Sequence, residues 1–249
     1  MTGESMNVVK SGVRRILRHF GYQILPAPTW SSSRQVSERG AYRLVNWQRP
    51  DGELDLAAYR REQERGNRAK IDQVWTNESN ITFVSRWLRA RGMQPQFIVC
   101  HGTRNGFEQQ AFAGFFACEV IGTEISSTAM QFPLTLQADF HDFRPEWEHK
   151  ADIVYSNSLD HAYDPAKALR AWARTVKAGG VIVLEKASDS DPRGVSDLDP
   201  FGIALPDLLV FLLEVLGEVA CIRALLDVPQ PRSGATYHKM IVIGISHDA

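Results

Sequence analysis

From residue 97 onward, short apolar runs alternate with segments whose apolar positions recur every three or four residues. The runs FIVC (97–100), CEVIGT (118–123), LTLQAD (134–139), ADIVYSN (151–157) and VIVLEKA (181–187) have strand length and β-branched content. Between them, FEQQAFAGFFA predicts a helix with Phe107, Ala111, Phe112 and Phe115 inward. PAKALRAWARTVKAGG (165–180) predicts another, with proline at its start and glycine at its end, and LPDLLVFLLEVLG (205–217) a third, strongly apolar one. Such alternation predicts a parallel sheet with crossover helices. EVACIRALLDV (218–228) and HKMIVIGIS (238–246) leave no room for a helix between them, so they predict an antiparallel final pair.

The pattern upstream is different. In residues 7–20, Val9, Val13, Ile16, Leu17 and Phe20 share a helical face, Lys10, Arg14, Arg15 and Arg18 crowd the rest, and Gly21 ends the segment. This basic helix is read as docked on its own domain or on a second subunit of a homodimer; weak contact with an anionic membrane surface is the alternative. Residues 26–56 lack a period and read as an irregular connection. LDLAAYRREQERGNRAKIDQVW (54–75) is charged and helix-prone. NITFVSRWLRARG (80–92) predicts a more apolar helix with Ile81, Val84, Trp87 and Leu88 on one face. Both are expected to cover part of the active-site mouth or to pack on the sheet edge. The domain division follows: 1–92 is an N-terminal helical extension and linker, and 93–249 is the α/β domain.

Composition narrows the picture. The chain has 249 residues, is 44% hydrophobic and 23% charged, and carries a formal net charge of -1. That is ordinary for a globular protein and gives no global nucleic-acid footprint. Cys100, Cys118 and Cys221 are far apart in apolar runs and read as buried free thiols in a reducing, cytoplasmic setting. No signal peptide and no membrane-spanning run is read in the sequence.

Ligands of open α/β sheets sit at the carboxyl ends of the strands. After the first strand comes HGTRNG, in which Gly102 permits a tight turn and close approach and Gly106 lets the next helix pack near the strand. Glu124 ends the second strand, at a spacing where an acid can accept from ribose hydroxyls. Asp139 ends the third and could take an adenine amino proton, with Phe140 against the ring. SNSLDHAYDP follows the fourth, rich in polar groups that a crossover turn does not need. Each feature has a structural explanation of its own, but four successive strand ends carrying ligand-type residues are far more specific than one.

With CHGTRNG, Glu124, ADF at 138–140, ADIVYSNSLDHAYDP and VKAGGVIVLE, residues 97–186 resemble a class I S-adenosylmethionine-dependent methyltransferase. The resemblance extends to the C-terminus and leaves the N-terminal third outside. It implies a Rossmann-like, doubly wound, mostly parallel seven-stranded sheet with an antiparallel last strand. It also implies S-adenosyl-L-methionine as cofactor. His101, Gly102, Thr103 and Gly106 would line its methionine side, Glu124 and Ile125 its ribose, and Asp139 and Phe140 its adenine, with Asn157 beside the sulfonium. His161 would serve as general base, or else shape the loop, and Asp160 would orient it or bind the acceptor. The family's usual acid two places before the first glycine is here Cys100, and a middle glycine is Arg104. Arg104 either meets the cofactor's carboxylate or points outward.

The acceptor is expected to be a small molecule or glycan, not nucleic acid. The loop SDSDPRGVSDLDPFG (188–202) reads as a lid, in which Asp189, Asp191, Asp197 and Asp199 could bind a cation or a polar acceptor; a solvated acidic loop is favoured over a metal site. Two other functions compete: a non-enzymatic nucleotide-binding protein, and a nicotinamide-dependent oxidoreductase, which fits less well because G-x-G-x-x-G is absent.

Overall fold

The computed structural model describes residues 34–246. The basic segment 7–20 lies outside them. Seven strands form the main sheet: β3 (Phe97–His101), β4 (Glu119–Glu124), β5 (Thr135–Gln137), β6 (Ala151–Ser156), β7 (Val176–Ala187), β9 (Ala220–Asp227) and β10 (His238–Ile245). Their spatial order is β5-β4-β3-β6-β7-β10-β9. The first five are parallel, while β10 runs antiparallel to both β7 and β9. This is the parallel sheet that the alternating pattern predicts, in the Rossmann-like arrangement that the resemblance implies.

The central strands β3 and β6 are buried almost throughout because both faces are covered. On one face Val99, Val154, Ile182 and Leu184 pack with α4 (Pro165–Thr175) and α5 (Leu205–Leu216). On the other, Ile98, Cys100, Ile153, Tyr155 and Val183 pack with α2 (Glu78–Arg89) and α3 (Phe107–Phe116). The buried positions of α3 are Glu108, Gln109 and Phe112; Phe107, Ala111 and Phe115 are only partly covered. The expected inward face is therefore rotated. Gln109 Nε2 donates to Thr135 Oγ1 at 2.7 Å and Asn157 Nδ2 donates to Glu108 Oε1 at 3.0 Å, so polar partners hold that face inside.

Three further expectations are corrected. The helix begun at Pro165 stops at Thr175, and Lys177–Gly180 belong to the long strand β7, whose start pairs with Ala151. Residues 26–56 are not wholly irregular: β1 (Val36–Arg39) and β2 (Tyr42–Val45) form a hairpin with Gly40 at φ +60° in its two-residue turn. β2 then pairs with β8 (Phe201–Ile203), tying this hairpin to the segment after β7. Of the cysteines only Cys100 is buried, while Cys221 is exposed on the edge strand β9, whose residues alternate in exposure. No helix among the described residues is long and apolar enough to cross a membrane.

The remaining helix, α1 (Leu56–Ala69), opens with Asp55 accepting from the Ala58 amide. Asp164 does the same for α4, accepting from the Lys167 amide at 2.9 Å ahead of Pro165. Asp164→Ala should lower unfolding free energy by about 1 kcal/mol, read from the urea midpoint at unchanged slope.

Candidate functional site

β3 and β6 are neighbours in parallel register, so the loops that follow them leave the sheet side by side. Gly102, at φ +73°, brings its loop so close that an added Cβ would lie 2.6 Å from that of Ser158. Ser158 Oγ donates to the Gly102 carbonyl at 3.0 Å and closes the contact.

A cavity opens between these loops. Gly102, Arg104, Glu124, Ile125, Asp139, Phe140, Ser158 and His161 line it from the sheet. Both oxygens of Glu124 accept backbone amides, Oε2 from Arg104 at 3.0 Å and Oε1 from Ser126 at 2.9 Å. Burial nevertheless holds the Glu124 carboxyl above its usual range. Asp139 Oδ1 accepts both the His141 amide, at 3.0 Å, and His141 Nδ1, at 2.6 Å. Burial pushes the Asp139 carboxyl up, but the His141 bonds outweigh it and hold it below its ordinary value. Asp139 Oδ2 is buried with no partner among the described residues, an acceptor ready for an amino proton. His141 was not anticipated. Nothing in the spacing marks a residue whose role is to turn a neighbouring carboxylate.

Other expected residues lie elsewhere. His101 is buried in the core, with Nδ1 on Thr123 Oγ1 at 2.8 Å and its ring stacked on Trp172; burial drives its pKa down to about 3, so it is neutral. Thr103 is buried with its hydroxyl beside Gly122. Gly106, at φ +79°, caps α3. None of these three lines the cavity. Arg104 does, in a left-handed conformation at φ +39°, with Nη1 donating to the Gln73 carbonyl at 3.2 Å and the guanidinium 5.8 Å from the Trp75 ring centre.

The roof comes from outside the sheet. Tyr59, Gln63, Gly66 and Asn67 of α1 and Leu198 of the 188–202 segment complete the lining. Leu198 sits on Gly66, where an added Cβ would meet its side chain at 2.3 Å. Gln63 Nε2 donates to the Leu198 carbonyl at 2.8 Å, and Tyr59 Oη donates to the His161 carbonyl at 2.8 Å. The space left is about 40 Å³, enough for a few waters, and α1 and Leu198 border it.

Asn157 and Asp160 face a second, smaller cavity, with Lys186, Ser190 and Arg232 and the apolar Leu184, Phe201, Ile203 and Leu208. Lys186 Nζ donates to Ser190 Oγ at 2.8 Å and Arg232 Nη1 to Asp189 at 3.1 Å. Glu185 also lines this cavity. It is fully buried and accepts from Thr76 Oγ1, Tyr155 Oη and His238 Nε2 at 2.9, 2.6 and 2.6 Å. His161 stands at the boundary, lining the first cavity while its neighbour Asp160 lines the second.

Residues 99–184 match the family described as a methyltransferase domain. The sheet order and flanking helices of this chain are those of the class I S-adenosylmethionine-dependent methyltransferase fold. Among solved structures, it is similar to 1,6-didemethyltoxoflavin-N1-methyltransferase of Burkholderia thailandensis, determined with 1,6-didemethyltoxoflavin and S-adenosylhomocysteine; identity is 13% over 86% of this chain and 100% of that one, with TM-score 0.58. The Haloferax volcanii putative methyltransferase complexed with the Trm112 activator gives 16%, 76% and 98%, with TM-score 0.55. A putative S-adenosyl-L-methionine-dependent methyltransferase of Methanococcus maripaludis gives 14%, 76% and 94%, with TM-score 0.51. No curated protein sequence matches the chain.

The cavity suits that cofactor in its chemistry: an unpartnered carboxylate oxygen at Asp139, an aromatic ring at Phe140, a carboxylate at Glu124 and a side-chain-free approach at Gly102. The roof is anchored by Glu64, whose carboxylate accepts the Ser127 amide and hydroxyl, both at 2.8 Å, and Arg68. Burial pushes the Glu64 carboxyl up, but the hydrogen bonds from Ser126, Ser127 and Arg68 bring it from 4.5 to about 2. A carboxyl depressed in the folded state adds stability above its unfolded pKa and loses it as pH falls through the folded value. Glu64→Gln should therefore lower Tm at pH 6 and converge on the wild type between pH 4.5 and 2; parallel Tm curves over that window would contradict the anchor.

Proposed function

We propose that the protein transfers the methyl group of S-adenosylmethionine to a small polar acceptor held in the second cavity. One observation carries this reading. The Asn157–His161 turn separates two cavities, one lined by Gly102, Glu124, Asp139 and Phe140, the other by charged and apolar residues together. Methyl transfer is a displacement at carbon, so holding donor and acceptor in line across such a divide supplies most of the help it needs. That a solved methyltransferase of similar fold acts on 1,6-didemethyltoxoflavin supports an acceptor of that size. Lys186, Arg232, Asp160 and Ser190 favour a polar acceptor over a purely apolar one.

In this reading Asp139 Oδ2 accepts from the adenine amino group, Phe140 lies against the ring, Glu124 takes the ribose hydroxyls, and Arg104 meets the carboxylate of the amino-acid portion. The described N-terminal residues act as part of the domain, since α1 roofs the cofactor cavity and Thr76 bonds Glu185 across the sheet's end. When bound, the cofactor supplies the electrophilic methyl carbon; the chain's own task is to orient the acceptor and shed water.

Calorimetric titration tests this directly. S-adenosylhomocysteine should bind and raise Tm by mass action, and NAD should do neither. Glu124→Ala should weaken S-adenosylhomocysteine by about 1 to 3 kcal/mol, with Glu124→Gln losing less. Equal affinity in wild type and Glu124→Ala would remove that side chain from the site.

A second test concerns the loop. Arg104→Gly relieves a left-handed backbone strained by about 1 kcal/mol, so it should raise the unfolding free energy while weakening S-adenosylhomocysteine. Higher stability with unchanged affinity would show that the guanidinium does not touch the cofactor.

A further inference from the structure

His161 is held in a way that commits its ring. Nδ1 lies 2.9 Å from the Leu198 carbonyl and 3.0 Å from Gln63 Oε1, while the Gln63 amide nitrogen bonds the same carbonyl. Both neighbours of Nδ1 are acceptors, so Nδ1 carries a proton, and in its neutral form the imidazole presents a lone pair at Nε2. A backbone carbonyl that fixes the tautomer from behind is the usual support of a metal-binding histidine.

Two carboxylates converge on that lone pair. Asp199 Oδ1 is 3.5 Å from Nε2. A charge-assisted hydrogen bond would be about 2.7–2.9 Å long, so the pair stands apart. Two ligand atoms each about 2.0–2.2 Å from one shared ion stand at roughly this separation. An oxygen of Asp160 completes the group, all three atoms lying within 4.8 Å of one another. The Asp160 carboxylate lies in the field of His161 and Arg232 as well as of Asp199 and Asp189. Asp199 is meanwhile steadied from outside the cluster, its Oδ2 accepting from Ser196 Oγ at 3.0 Å. A ring nitrogen and two carboxylates face one another here, with His161 and Asp199 braced from outside the cluster, an arrangement suited to a cation.

We propose that Asp160, His161 and Asp199 bind a divalent cation at the boundary between the two cavities, and that this ion binds the hydroxyl oxygen of the methyl acceptor. One imidazole and two carboxylates suit Mn²⁺, and also Mg²⁺ or Zn²⁺. Three protein donors leave coordination positions open for the acceptor. The solvated acidic loop expected from the sequence thus contributes one metal ligand, Asp199. The chemistry follows and rests on the methyl-transfer reading. The bound cation lowers the pKa of the acceptor hydroxyl, and its proton leaves to water. The oxygen then forms a bond to the methyl carbon as the carbon–sulfur bond breaks, its electron pair returning to sulfur. The products are a methyl ether and S-adenosylhomocysteine.

The ion can be tested without the cofactor. After dialysis against a chelator, the full chain is titrated with Mn²⁺ and free ion is read from its electron paramagnetic resonance. One ion should bind, and Asp199→Asn, Asp160→Asn and His161→Ala should each weaken it at least tenfold. Asp199→Asn can keep the Ser196 bond, so its loss would not reflect misfolding. Asp189→Asn, in the same loop but paired with Arg232, should bind like the wild type. No binding by the wild type, or equal binding by all variants, would overturn the site. So would a His161 ring found protonated on both nitrogens at neutral pH with Mn²⁺ present, which would make it a clamp on Asp199. A parallel S-adenosylhomocysteine titration separates the two readings: cofactor binding without Mn²⁺ binding sinks only the ion site, whereas Mn²⁺ binding without cofactor binding keeps the site and sinks the methyl-transfer reading.

Discussion

The approach of the loop after β3 to the turn after β6 is the constraint on which the site depends. Any side chain at 102 would strike Ser158, and the hydrogen bond from Ser158 to the Gly102 carbonyl would be lost with it. The two loops supply different parts of the lining: one leads to Arg104 and the amide that holds Glu124, the other to His161 at the first cavity and Asp160 at the second. Parallel pairing of β3 with β6 sets their separation, and both strands lie between helical layers, so that separation is fixed by packing.

Polar groups near the sheet's end are satisfied in pairs and triads, with a few left open. Glu185 has three donors, and Glu124 two backbone amides. Asp139 is served on one oxygen only. Glu108, drawn up to about 7 by burial, is bonded through one oxygen to Asn157. Buried acceptors left half satisfied cost stability, and natural proteins keep them mostly where a ligand or a proton is expected.

Much of this was legible in the sequence, for a physical reason. In a parallel sheet every strand ends at the same edge, so reading strand ends amounts to reading the site. Gly102, Glu124, Ile125, Asp139 and Phe140 do meet at one cavity. What escaped depends on contacts distant in sequence. The strands 36–39 and 42–45 have four residues each, and the second of them also pairs with 201–203. The inner face of α3 is polar and defeats a hydrophobic period. Thr175 ends α4 because β7 begins pairing with Ala151, not because a stop residue is present. That α1 lies over the mouth was within expectation, but not that Gln63 and Leu198 would clasp His161.

The seat of Leu198 on Gly66 has a kinetic meaning. A helix glycine forfeits about 1 kcal/mol of helix propensity, and here it provides a notch where a distant segment latches. A ligand in the cavity below would lie under this latch, and the contact that would part to admit it is also the place where α1 has the least helix propensity.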